Sequence, residues 1–87
     1  MGADRAGRVE LYFLRALELA LHIDEQALLS TWLSDLYRVQ GDCQQAQTMA
    51  DQADRLYDEY LQENPSLANP AYEQFQKEVR DDLQQDC

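Results

Sequence analysis

Eighty-seven residues, 45% of them apolar and only five of them glycine or proline, suit one small helical core and exclude a flexible linker or a disordered tail as the class of most of the chain. Seven basic side chains against seventeen acidic ones give a formal charge of −10, which repels phosphate backbones and anionic headgroups and argues against direct nucleic-acid binding. Residues 1 to 50 hold seven acids and four bases, whereas residues 51 to 87 hold ten and three. That excess suits a solvated face, a counter-surface for a basic partner, or a DNA mimic.

Residues 1 to 7 contain two glycines and little apolar content and are expected to form a disordered lead before a single domain over 8 to 87. This lead lacks the apolar stretch of a secretory signal, and the two cysteines, Cys43 and Cys87, follow no metal or disulfide-framework spacing. The default compartment on those grounds is the cytoplasm. A first helix is predicted over 8 to 22, where Glu10, Arg15, Glu18 and His22 occupy a sector of about 140° and leave a very wide apolar face. The apolar window 11 to 23 is interrupted by Arg15, Glu18 and His22 and is shorter than the roughly 20 residues a bilayer needs, so no membrane role is expected.

Asp24 is the expected cap of a second helix over 25 to 40, whose Leu29, Trp32, Leu33, Leu36 and Tyr37 recur at helical spacing while Ser30, Ser34, Asp35 and Arg38 are expected to point elsewhere. Gly41 supplies a left-handed stop, and Asp42, with Gln45 three residues on, supplies a start. The third helix, 43 to 63, places Ala46, Ala50 and Ala53 near that corner and Leu56, Tyr57, Tyr60 and Leu61 far from it. After the proline-bearing linker 64 to 70, Asn69 and Pro70 open a fourth helix to about 85, with Tyr72, Phe75, Val79 and Leu83 as a narrow stripe on an acidic body.

The series Leu33, Ser34, Tyr37, Gly41, Ala46, Ala50 and Ala53 resembles a tetratricopeptide repeat, and Phe13, Ala16, Leu17 and Leu19 resemble the second helix of a preceding one. The resemblance covers about residues 9 to 60, roughly one and a half repeats. Ser30 stands where the family has a tryptophan, Asp58 replaces its usual proline, and the basic clamp for a terminal carboxylate is missing. The resemblance implies an all-α right-handed stack of antiparallel hairpins with the fourth helix as an acidic cap. It also implies a concave groove lined by Leu28, Thr31, Asp35, Arg38 and Val39, although Leu28 and Val39 would equally suit packing on the fourth helix. So short an array leaves apolar surface over, which implies a homo-oligomer, a larger assembly, or a protein or peptide partner.

Chemistry finds little support. One histidine, His22, beside Asp24 and Glu25 falls short of a metal set and reads as a histidine at the C-terminal end of the first helix. Cys43 reads as a small packing residue and Cys87 as an exposed thiol. The glycines at 2, 7 and 41 form no phosphate-binding loop, and the acidic pairs Asp58, Glu59 and Asp81, Asp82 are adjacent rather than stacked on one helical face. No cofactor, metal or reaction is expected. A binding module is the leading expectation; a small acidic secretion-type chaperone and an acidic regulatory, ligand-sensing or DNA-mimic domain are the rivals.

Overall fold

The computed structural model describes residues 2 to 20 and 22 to 87, with side-chain surroundings from Arg8 onward except at Leu21. Among the described residues four helices follow one another: α1 Gly2–Leu19, α2 Ile23–Val39, α3 Cys43–Glu63 and α4 Pro70–Asp86, with a single 3₁₀ turn at Pro65–Leu67 between the last two. The fold is all-α, as expected.

The corner between α2 and α3 rests on Gly41, at φ 82°, and on the backbone around it. Gly41 donates its N–H to the Arg38 carbonyl at 3.0 Å, and Asp42 donates its own to Tyr37 at 2.9 Å, the paired closing bonds of a left-handed helix stop. The Asp42 side chain then accepts from the Gln45 N–H at 3.1 Å and caps α3. Because the Asp42 N–H is already used, it is not free for a return bond from the Gln45 side chain. One residue therefore ends one helix and begins the next. A methyl group added at Gly41 would meet nothing within 4 Å, so alanine there would cost only the backbone strain, about 1 kcal/mol.

Contacts between α2 and α3 run antiparallel: the Ser34 hydroxyl donates to the Ala46 carbonyl at 2.7 Å, the Gln52 amide to the Ser30 hydroxyl at 3.0 Å, and Ala27 packs with Tyr57. Fully buried Ala46 and nearby Ala50 let the backbones approach near the corner, while Tyr57, Tyr60 and Leu61 fill the wider end. α4 lies beside both helices, with Tyr72, Val79 and Leu83 buried, as its sequence stripe implied. α1 lies mainly beside α2 and contributes Phe13, Leu14 and Leu17 to the core around Leu33, Tyr37 and Leu83.

Several expectations need correction. α1 begins at Gly2, inside the segment expected to be a disordered lead, and ends at Leu19 rather than His22. Met1 lies outside the described residues. His22 is not at the C-terminal end of α1 but at the N-cap of α2, without a side-chain capping bond, and Asp24 sits in the first turn instead of capping it. Neither glycine nor proline stands between α1 and α2, and the Gln26 amide donates to the Ala20 carbonyl at 3.1 Å. Ser30 and Ser34 are buried rather than outward, since α3 supplies hydrogen-bond partners for both. Cys43 and Cys87 are joined in a disulfide across 44 residues, Cα to Cα 5.9 Å, because α4 runs back along α3 to the corner.

Candidate partner-binding surface

Along the outer face of α2, Leu28, Trp32 and Val39 form a stripe at 41%, 43% and 69% exposure. Their spacing, four and then seven residues, keeps them on one side of the helix, with the Arg38-paired Asp35 between Trp32 and Val39. The flanking helices turn aromatic rings onto the stripe's centre. Phe13 of α1 stacks on Trp32 with centroids 6.2 Å apart and planes 6° apart, and Phe75 of α4 meets it at 4.7 Å. Tyr12 stands edge-on to Phe13 at 5.7 Å and carries the apolar surface onto α1, where Leu11, Tyr12 and Leu19 are about 70% exposed.

Beyond Leu28 the stripe opens into a cleft of about 370 Å³ between the start of α2, the end of α3 and the start of α4. Tyr57, Tyr60, Tyr72 and Phe75 supply its ring surface, and Asp24 and Glu25 its acids. A second hollow of about 390 Å³ lies between α1 and α3, among Leu17, Gln26, Gln52, Arg55, Leu56 and Glu59. Its polar residues carry charges of both signs.

The five residues that the resemblance places in a groove do not share one environment. Leu28 and Val39 are exposed, and Leu28 also lines the cleft with Phe75. Thr31 is buried; its hydroxyl donates to the Ala27 carbonyl at 3.0 Å, which leaves the Tyr72 hydroxyl, 2.9 Å away, as donor to Thr31. Asp35 pairs with Arg38 at 2.8 Å, and Arg38 reaches across to Asp82, 3.9 Å away, and to Asp86. Thr31 and Arg38 thus face α4 rather than an open channel. The hydrogen bonds that Arg38 donates to Asp35 and Asp86 raise its pKa above the ordinary value. Gly41 and Asp42 are structural, as described.

Trp32 was the site residue hardest to place from sequence, because its spacing from Leu29 and Leu36 reads as core. Its place four residues from Leu28 and seven from Val39 was the available signal. The rings of the cleft read equally as core, and Tyr57 and Tyr72 are indeed buried. Burial pushes the Tyr72 phenol up to about 12, and burial with Glu10 alongside does the same to Tyr37. Tyr57 is raised too, first by burial and then by its bond to Glu73.

Among the described residues no three His, Cys, Asp or Glu side chains are grouped as a metal site would require. No described helix is long and apolar enough to cross a membrane. No family model, no curated protein and no solved structure matches the chain.

Proposed function

We propose that the chain is a protein-binding module of tetratricopeptide-like build, an adaptor or scaffold element that takes a peptide or partner helix along the outer face of α2 and catalyses nothing. The observation behind this reading is the exposed Leu28, Trp32 and Val39 on one side of α2, bordered by Phe13 and Phe75 and met through Phe13 by exposed Tyr12, with Leu11 and Leu19 as a separate exposed apolar face of α1. Exposed large apolar side chains grouped in this way on a small protein are typical of interaction sites. The order of helices, with α1 and α4 on either side of an α2, α3 hairpin, fits the repeat resemblance.

Charge favours a foreign partner over a second copy. Two chains of −10 repel each other, whereas a basic or neutral partner does not face that cost. The DNA-mimic alternative loses ground on the same residues: Asp82 and Asp86 of the acidic half are drawn to Arg38, and Asp51 and Asp54 to Arg80. A cytoplasmic site of action fits the chain better with Cys43 and Cys87 reduced, since disulfides persist in oxidising surroundings.

The test is capture of a partner by the tagged chain and by its Trp32→Ala and Val39→Ser variants, with the native mass of each species measured. A stoichiometric partner held by the parent chain and lost by both folded variants is the expected result. A partner retained by both variants, or a well-folded monomer that takes none, would remove the groove from consideration.

A further inference from the structure

We propose that the cleft at the N-terminal end of α2 is a subsite for a lysine or arginine side chain carried on an otherwise apolar peptide segment. The inference rests on reading the α2 stripe as a partner groove, and it names the chemistry that enters one end of it. The cleft of about 370 Å³ draws its rings from two helices, Tyr57 and Tyr60 from α3 and Tyr72 and Phe75 from α4. These rings hold one another: Tyr57 lies 4.8 Å from Tyr72 and 6.3 Å from Tyr60.

The two buried hydroxyls are already committed. Tyr57 donates to Glu73 at 2.6 Å and accepts from the Asn69 N–H at 2.9 Å, while Tyr72 bonds Thr31. What they present to an incoming group is therefore ring surface, and ring surface attracts cations through its quadrupole. A flexible basic side chain suits such a place because its apolar stem lies on Leu28 and the rings while its head stays near solvent.

Asp24 and Glu25 supply the matching charge at the rim. Asp35, Asp51, Asp54, Asp82 and Asp86 all sit by an arginine, whereas Asp24 and Glu25 are exposed and have no ion pair among the described residues. The two carboxylates outweigh the half-unit of positive charge at the start of α2, so the mouth of the cleft favours a cation. The occupant is a peptide rather than an isolated amine because apolar surface runs from Leu28 to Trp32 and, past the Asp35 and Arg38 pair, resumes at Val39, about 16 Å along the helix. A second copy of this chain would bring ten more negative charges to an acidic mouth.

Trp32 is the only tryptophan, so its fluorescence reports the groove directly. The probes are a tryptophan-free 14-residue amphipathic peptide of leucine and lysine and its glutamine and glutamate counterparts. They are titrated against the parent chain, against Asp24→Asn with Glu25→Gln, and against Glu78→Gln with Asp81→Asn, which removes two charges from the exposed side of α4. Circular dichroism verifies the fold of each variant.

The lysine peptide is expected to bind the parent about ten-fold more tightly than the glutamine peptide, to lose about ten-fold in the Asp24, Glu25 variant, and to change less than about two-fold in the α4 variant. The glutamate peptide is expected not to bind. Equal losses in the two variants, or a glutamine peptide as tight as the lysine one, would overturn the subsite while leaving the groove in place. Silence of Trp32 toward all three peptides would also overturn it, and the groove reading would then stand or fall on the capture experiment alone.

Discussion

α4 and α1 flank the same hairpin and are held in opposite ways. α4, the more acidic, is tied by directional bonds along its whole length. Tyr72 meets Thr31 at 2.9 Å, Glu73 accepts from Tyr57, Gln76 donates to Asp54 at 2.9 Å, Arg80 bonds Asp51 at 3.0 Å and also Asp54, and Asp86 takes Arg38. A disulfide then fixes Cys87, the residue just after α4, to the first residue of α3. α1 lies mainly beside α2, has no ion pair to the other helices among the described residues, and rests on Phe13, Leu14 and Leu17, with Glu10 beside the Tyr37 hydroxyl as its polar contact. A polar helix needs directional partners because it has little apolar area to bury. An apolar helix docks largely through burial, and it leaves exposed whatever its neighbour fails to cover.

The largest effect should come from cutting the staple on α4. Chain entropy for a loop of this length gives the disulfide about 4 kcal/mol, so reduction or Cys87→Ser should lower the denaturant midpoint by a comparable free energy. Amide exchange should quicken at the C-terminal end of α4 and at the start of α3, with α1 unchanged. A loss below about 1 kcal/mol would mean that the polar bonds alone suffice to seat α4.

The same contrast separates what could be read from the sequence from what could not. The α3 boundaries, the Gly41 stop, the Asp42 and Asn69 caps and Pro70 at the first position are local chemistry, and all stand in the structure as written in the residues. The environment of Thr31 depends on Tyr72, forty-one residues away, and those of Ser30 and Ser34 depend on α3. Short polar side chains on a helix read as surface until the partner helix is in place. The Cys43, Cys87 bond was hidden for the same reason. α1 was misread at both ends because its start carries glycine, a poor helix former, and its end carries neither glycine nor proline. Of the candidate surface, Leu28 and Val39 suit a groove and packing on the fourth helix equally in the sequence, and Trp32 reads as core, so the exposure of all three needed the placement of the flanking helices.

A pH series sharpens the α4 side. Burial holds the Tyr72 pKa at about 12, above the value near 10 of an unfolded tyrosine. The folded state thus keeps the proton that the unfolded state loses. This contribution is complete below about pH 10 and is lost as pH rises through about 12. A difference of two units corresponds to about 2 to 3 kcal/mol. Tyr72→Phe should cost about 1 kcal/mol at neutral pH through the lost hydrogen bond to Thr31, and should then lose less stability than the parent over the alkaline window. Tyr37 titrates in the same window, so the variant should retain part of the alkaline decline. Parallel denaturation curves for parent and variant from pH 9 to 12 would show that Tyr72 contributes nothing to it.

On the α1 side, Phe13→Ala removes the half-buried ring that stacks on Trp32. A fully buried phenylalanine would cost about 3 to 5 kcal/mol, so about 1 to 2 kcal/mol is expected here. The effect should be local, with faster amide exchange in α1 and a changed Trp32 emission while α4 keeps its protection. If α4 loosened as well, the two flanks would be one cooperative unit rather than two independent attachments.

The smallest effect on stability decides what the free face of α1 is for. Leu11 and Leu19 are 67% and 71% exposed and therefore contribute little to the fold. Leu11→Ser with Leu19→Ser should change unfolding free energy by less than about 0.5 kcal/mol, apart from the modest helix propensity difference. A drop of more than about 1 kcal/mol would mean that this face is covered by the chain's own residues in solution. With stability unchanged, any loss of partner capture or fall in native mass in the double variant belongs to the surface itself. It could not be ascribed to a weakened core, because the core residues of α1, Phe13, Leu14 and Leu17, lie on its other side and remain in place.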